Sequence, residues 1–197
     1  MRFLIITIFV FESFVTFSQS DSAASFWQHQ CELLTDGKGK SKGLIMSLSI
    51  PCSWKQKNRD MPKTIAWRSQ HVTDTTSVSI VAMIDKSDIT IPKQTVDNFL
   101  SQRGMREMLS KTQQFIKATR VTISGCPAAE IIYDEHQLLP GLDVFQYNIS
   151  YFIFCKTWMI TLTYSVGSAW VDKSQLYKER YTSLFRGLAA STLILNK

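Results

Sequence analysis

The stretch ISGCPAAEIIYDEHQLLPGLDVFQYNISYFIFCKTWMITLTYSV, Ile123 to Val166, decides the fold. Ala128 to Tyr133 is short, apolar and partly β-branched, bounded by Gly125-Cys126-Pro127 and by Asp134-Glu135-His136, and so reads as a strand. Pro127 suits a strand's first residue, where a missing backbone donor matters least. Val144 to Phe154 and Met159 to Val166 are rich in aromatic and β-branched residues, which favour a pleated, half-buried surface. Lys156-Thr157 leaves room only for a tight reversal, and tight reversals join antiparallel strands. The stretch predicts an antiparallel meander.

Its cysteines support the register. Cys126 lies fourteen residues before Pro140 and Cys155 fourteen after Gly141. A turn at Pro140-Gly141 therefore sets them opposite each other at the open end of a hairpin. Opposed residues have Cβ atoms roughly 4.5–5.5 Å apart, and a disulfide needs about 3.5–4.5 Å. Two buried free thiols are the alternative, since free cysteine packs as a small hydrophobe. The N terminus favours the bridge. Met1-Arg2, the apolar run Phe3 to Phe11, and Ser18 and Ser20 form a leader, 1–20, with a cut before Asp21. An exported chain meets an oxidising compartment. Of the three pairings four cysteines allow, Cys126–Cys155 leaves Cys31–Cys52 by exclusion. No cysteine follows the cut, which argues against a bacterial lipid anchor, so a periplasmic or secreted protein is expected.

The rest of the chain is expected to be an N-terminal arm, 21–42, and a single domain, 43–195. Asp21 to Leu34 reads as a short helix or an arm, and Thr35 to Lys42 as a loop. Leu44, Met46, Leu48 and Ile50 alternate in a strand that Pro51 ends, and Trp54 should fold back onto the core. Thr64 to Ser69 and Ser77 to Ile84 read as strands, Lys93 to Lys111 as a helix broken at Gly104, and Phe115 to Ile123 as a strand. Asp172 with Gln175 resembles a capping box. It opens a helix whose stripe Leu176, Tyr177, Tyr181, Leu184, Phe185 and Leu188 is spaced for burial. Strands, helix, strands, helix predict an α+β fold: an antiparallel sheet with helices laid on it.

The residues also carry a resemblance. A strand into Ile50-Pro51-Cys52-Ser53-Trp54, then Gly125-Cys126-Pro127-Ala128, then the aromatic hairpin through Tyr151 and Thr163-Tyr164 and a helix ending near Ala190-Ser191, resembles the PsbP-like superfamily from Gly43 to Leu195. The resemblance implies an α/β/α sandwich with a central antiparallel sheet flanked by helices. It also implies a non-enzymatic role, since that superfamily includes extrinsic photosystem subunits, Ran-binding proteins, secretion chaperones and immunity proteins. It supplies no catalytic residue, and no cysteine pair defines it.

Chemistry is sparse. Gly39-Lys40-Ser41-Lys42-Gly43 spells G-x-S-x-G, but a polar loop precedes it and a strand follows, the reverse of a nucleophile elbow. His29, His71 and His136 lack metal-ligand spacing, and neither a metal nor a cofactor is expected. Glu130, Asp134 and Glu135 cluster near one hairpin. Asn148-Ile149-Ser150 is a sequon inside a strand. The formal net charge of +6 is unchanged by loss of the leader, which removes one base and one acid. Its excess lies at Lys38, Lys40, Lys42, Lys55, Lys57, Arg59, Lys63 and Arg68. These are either a docking surface for an acidic partner or headgroups, or solvated loops. The two groups flank one strand, at its opposite ends. Export, and the burial expected for Trp54 and Trp67, argue against nucleic acid.

Two classes of function follow. One is an exported, non-catalytic module docking on another envelope protein, immunity and accessory roles included, through the basic loops or Trp170, since tryptophan anchors interfaces. Trp170 could equally staple against its own helix. The other is a hydrolase built on Glu130 and Asp134 with a histidine. A cleft with a shifted carboxylate would favour it.

Overall fold

The structure, a computed structural model, describes residues 29–57, 61–139 and 141–196. The leader, the start of the arm and Arg59 lie outside the described residues. Among the described residues ten strands and three α-helices run in the order β1 (Gln30–Leu34), β2 (Met46–Pro51), β3 (Lys55–Gln56), β4 (Thr64–Thr73), β5 (Thr76–Lys86), α1 (Lys93–Phe99), α2 (Gln102–Glu107), β6 (Gln113–Ile123), β7 (Cys126–Leu139), β8 (Leu142–Cys155), β9 (Trp158–Ser168), α3 (Val171–Ala190) and β10 (Leu193–Ile194). Seven strands form one antiparallel sheet in the order β3-β4-β5-β9-β8-β7-β6. A smaller sheet, β1-β2-β10, is also antiparallel.

The meander is present and longer than the sequence suggests. Leu139 pairs with Leu142, and Ala128 with Ile153, so the register is the one the cysteine spacing requires. Ile123 pairs with Cys126 across a two-residue loop in which Ser124 (φ +49°) and Gly125 (φ +76°) both take positive φ. That backbone matches the right-handed twist of a hairpin. Because successive side chains alternate between faces, Tyr147, Ile149, Tyr151 and Ile153 point to one side with Ile160, Leu162, Tyr164 and Val166, all buried.

On that side lie α3 and the small sheet. Tyr181, Leu184, Phe185 and Leu188 of α3 join Met46, Leu48 and Ile50 of β2 and the sheet residues in one cluster. Tyr164 stacks on Phe185 with centroids 5.4 Å apart, an offset contact of the kind aromatic rings favour. Trp54 folds back into this core, 2% exposed. On the opposite side α1 and α2 set Val96, Leu100 and Met105 against Ala129, Ile131, Tyr133 and Phe154. Helices thus lie on both faces, but sheet dominates the molecule.

Several expectations need correction. Gln30–Leu34 is a strand, not a helix or a free arm; it pairs with β2 along its length, so part of the arm belongs to the folded unit. The broken helix breaks at Leu100-Ser101 rather than at Gly104. Ser101 caps α2, its Oγ accepting from the Gly104 amide at 3.0 Å, and Gly104 sits inside α2. The glycine has a packing reason: a Cβ there would lie 2.1 Å from the Asn98 carbonyl oxygen and 2.8 Å from that of Phe99. Helix α3 starts two residues earlier than the capping box implies. Trp170 is its N-cap, no side chain caps it, and Asp172 lies in the first turn, where its charge suits the helix dipole. Leu176, assigned to the buried stripe, is 67% exposed, because at about 100° per residue it lies on the opposite side of α3 from Phe185; Ser174 is buried in that turn instead.

Candidate functional site

The four cysteines are paired as Cys126–Cys155 and Cys31–Cys52, with Cα separations of 5.4 and 4.9 Å. The first bridge closes the open end of the β7–β8 hairpin, and the second ties β1 to the residue after β2. Two bridges fit an oxidising, extracytoplasmic compartment. No helix among the described residues is long and apolar enough to cross a membrane.

The carboxylates divide into two environments. Glu130, on β7, faces α3 and is 7% exposed. Arg186 grips it with Nε donating to Oε2 at 3.1 Å and the other guanidinium nitrogen to Oε1 at 2.9 Å. The Tyr151 hydroxyl donates to Oε2 at 2.6 Å. Burial is the largest influence on this carboxyl and pushes its pKa up, but Arg186, Tyr151 and Lys117 together outweigh it, so the group sits below its ordinary value. Tyr151 is held protonated in turn, its pKa raised by burial and by the neighbouring carboxylate. Bidentate, charge-assisted bonds of this kind fix geometry. The three side chains form a buried clamp tying α3 to the sheet.

Asp134 lies four residues along the same face, roughly 13 Å away at about 3.3 Å per residue. Paired carboxylates in glycoside hydrolysis sit within about 5–9.5 Å, so these two are not brought together. Burial raises the Asp134 carboxyl above its ordinary pKa, and Lys178 only partly offsets it. The group opens onto a groove of about 300 Å³ between the β7–β8 hairpin and the first turn of α3, with Gln114, His136, Phe145, Ser174 and Gln175 around it. His136 stacks flat on Phe145, centroids 4.4 Å apart, and its Nε2 is 3.8 Å from Asp143. Glu135 points to the other face, accepting from Gln113 and Gln137 at 3.2 Å each.

Trp170 stands beside this groove at the head of α3, 60% exposed. Its backbone is anchored, the amide donating to Ser168 Oγ at 3.2 Å and the carbonyl accepting from Ser174 at 3.1 Å. Its neighbours Val171 (46%) and Leu176 (67%) are exposed as well, and so are Leu138 (75%) and Leu142 (48%) near the hairpin tip.

The basic residues lie elsewhere. Lys38, Lys40 and Lys42 surround the 3-10 turn Gly39–Ser41, and Lys55 and Lys57 sit on and just after β3, exposed. Lys40 Nζ donates to the Met61 carbonyl at 3.1 Å. Lys42 and Lys63 share Asp85, at 3.6 and 2.6 Å. Ser41 is buried, its hydroxyl donating to the Lys38 carbonyl at 2.7 Å, which removes it as a nucleophile. Asn148 of the sequon is 2% exposed and accepts from Ser165 Oγ at 2.6 Å. Among the described residues no group of three His, Cys, Asp or Glu side chains converges as a metal site. Sequence reasoning missed Arg186 and Tyr151. Tyr151 carried a signal, since a turn at Pro140-Gly141 sets it directly opposite Glu130 and on the same face. Arg186, 56 positions from Glu130, carried none.

The chain matches no family model and no curated protein. Among solved structures it is similar to cyanobacterial PsbP, CyanoP, from Synechocystis sp. PCC 6803 (TM-score 0.51, 13% identity, 85% of this chain and 93% of that one). It is similar also to LpqN of Mycobacterium tuberculosis, described as involved in cell envelope biogenesis (TM-score 0.50, 16% identity, 84% and 91%). At such identities the likeness shows the fold, and the fold is PsbP-like.

Proposed function

We propose that this chain is an exported, non-catalytic PsbP-like module that docks onto another protein of the cell envelope in an accessory role. Its fold is the α/β/α sandwich of that family. The observation carrying the reading is a set of exposed apolar side chains: Trp170, Val171 and Leu176 in the first turns of α3, and Leu138 and Leu142 near the hairpin tip, with Val171 lining the groove. A tryptophan held on a rigid backbone beside a groove supplies large contact area at little entropic cost. The buried Glu130 clamp supports the same reading, because a carboxylate held below its ordinary pKa by Arg186 and Tyr151 is a weak general base. The description of LpqN as an envelope-biogenesis protein agrees with an envelope role.

A photo-crosslinking residue at position 176 in the native envelope tests this. One adduct of defined mass, absent when the probe sits at Thr95 on the opposite face and reduced by Trp170→Ala, is expected. Adducts independent of probe position would refute the docking surface. Asp134, raised in pKa and beside His136, keeps a second reading open, hydrolysis in the groove. Turnover of an ester or glycoside panel that Asp134→Asn abolishes would establish it in place of the first.

A further inference from the structure

The sheet face turned away from α3 is only partly covered. Helices α1 and α2 lie over β7, Phe154 of β8 and the adjoining part of β6, and beside them the outer face of β5, β9 and β8 borders a cavity of about 330 Å³. That volume is within the range of small-molecule sites, about 300–1,000 Å³. It is separate from the groove at Trp170 and owes nothing to it.

Three chemical zones line this cavity. Its walls are Met83, Met108, Leu109, Phe152 and Met159, all half-buried. Three methionines around one space give an apolar lining that reshapes to its contents. Its floor carries a string of hydroxyls, Tyr133 to Ser150 at 3.2 Å and Ser150 to Thr163 at 2.8 Å. Three hydroxyls hold three protons and these two bonds use two, so the floor retains a donor. Its rim carries Lys63 and Asp85, with Lys42 on the same carboxylate. Two ammonium groups on one carboxylate leave the rim net positive. Lys63 Nζ has three donors and Asp85 takes one.

We propose that this cavity binds a medium-chain carboxylate amphiphile, its chain along the methionine wall and its head against Lys63. An apolar lining gives affinity to the chain, and the positive rim selects an anion over a neutral or cationic head.

Calorimetric titration of the purified full-length protein with decanoate, decanol and decyltrimethylammonium, each below its micelle concentration, tests the inference. Saturable one-to-one binding of decanoate is expected, weakening about tenfold for each pair of methylenes removed in octanoate and hexanoate. Lys63→Glu should weaken decanoate at least tenfold and leave decanol unchanged, and Met83→Trp, which fills the cavity, should abolish binding of both. Lys63 already sits at φ +67°, so glutamate meets the same backbone and the variant should fold. If Met83→Trp does not fold, Met108→Trp at the other wall serves. Absence of saturable binding, decanol as tight as decanoate, or binding that survives the filled cavity would overturn the proposal.

Discussion

Arg186→Met should be the most informative single change in this protein. It leaves the Glu130 carboxylate 7% exposed with Tyr151 as its remaining close donor. Stranding a fully buried charge costs about 3–5 kcal/mol. The Arg186 side chain is 47% exposed, so water can reach part of the gap and about 2–3 kcal/mol is the expected loss at pH 7. With a urea m-value of about 1–3 kcal/mol/M, the midpoint should fall by about 1–2 M in equilibrium unfolding with both disulfides intact. The pH dependence identifies the cause. In the parent protein the Glu130 pKa is lowered on folding, so its contribution is present above the unfolded value of about 4.3 and fades as pH falls through the folded one. In the variant, burial acts without the guanidinium and the carboxyl moves above its ordinary value. Its penalty is then full at pH 7 and vanishes as pH drops below about 4.3. The difference between the two proteins should therefore shrink on acidification. Glu130→Gln added to Arg186→Met should recover much of the loss, because a neutral amide can still accept from Tyr151. A loss below 0.5 kcal/mol by the exposed-pair scale, independent of pH and not relieved by the second change, would refute the account of Glu130 as a buried, clamped charge.

Other changes test other parts of the fold. Gly104→Ala must displace backbone at the α1–α2 contact, where the new methyl would lie 2.1 Å from a carbonyl oxygen; a loss of about 3 kcal/mol or more in thermal unfolding is expected. Replacing Cys126 and Cys155 together by serine opens a loop of sequence separation 29 and should cost about 3–4 kcal/mol by chain entropy, read as a lower urea midpoint. Asp134→Asn should stabilise at pH 7 and not at pH 4, since burial raises the Asp134 pKa. A group so raised is destabilising above its folded pKa and neutral below the unfolded one.

What could be read in advance was what the chain specifies locally. The β7–β8 hairpin follows from alternation and from two cysteines equidistant from Pro140-Gly141, and its observed register joins Leu139 to Leu142. Strand β1 was missed because Gln30–Leu34 is an edge strand with exposed ends, and its identity comes from β2 rather than from its own pattern. Leu176 was assigned to the buried stripe on its apolar character, but at about 100° per residue it stands on the opposite side of α3 from Phe185, and Ser174 takes the buried place in that turn. At Gly104 the glycine was read as a breaker when its role is close approach between two helices, a distinction that needs the partner helix in view. The candidate site was legible only in part. Trp170 and Asp134 were named from the chain, but the groove joining them depends on β7, β8 and α3 meeting.

The strand order has a consequence for how the chain acquires its structure in time. Strands β6 to β9 are consecutive neighbours joined by short turns, so their pairing closes small loops. Strand β5 must instead find β9 across the whole meander, Thr76 meeting Ser168, and β10 must find β2 across nearly the full described chain, Leu193 meeting Ser47. Loop closure grows dearer with length and non-local pairing slows folding. The meander is thus the natural nucleus, and the β4–β5 hairpin and the small sheet join it late. Ile149→Val in β8 should slow refolding, whereas Ile80→Val in β5 should chiefly hasten unfolding. The half of the molecule that carries the hairpin and the groove would be ordered first, and the half that carries the basic loops last.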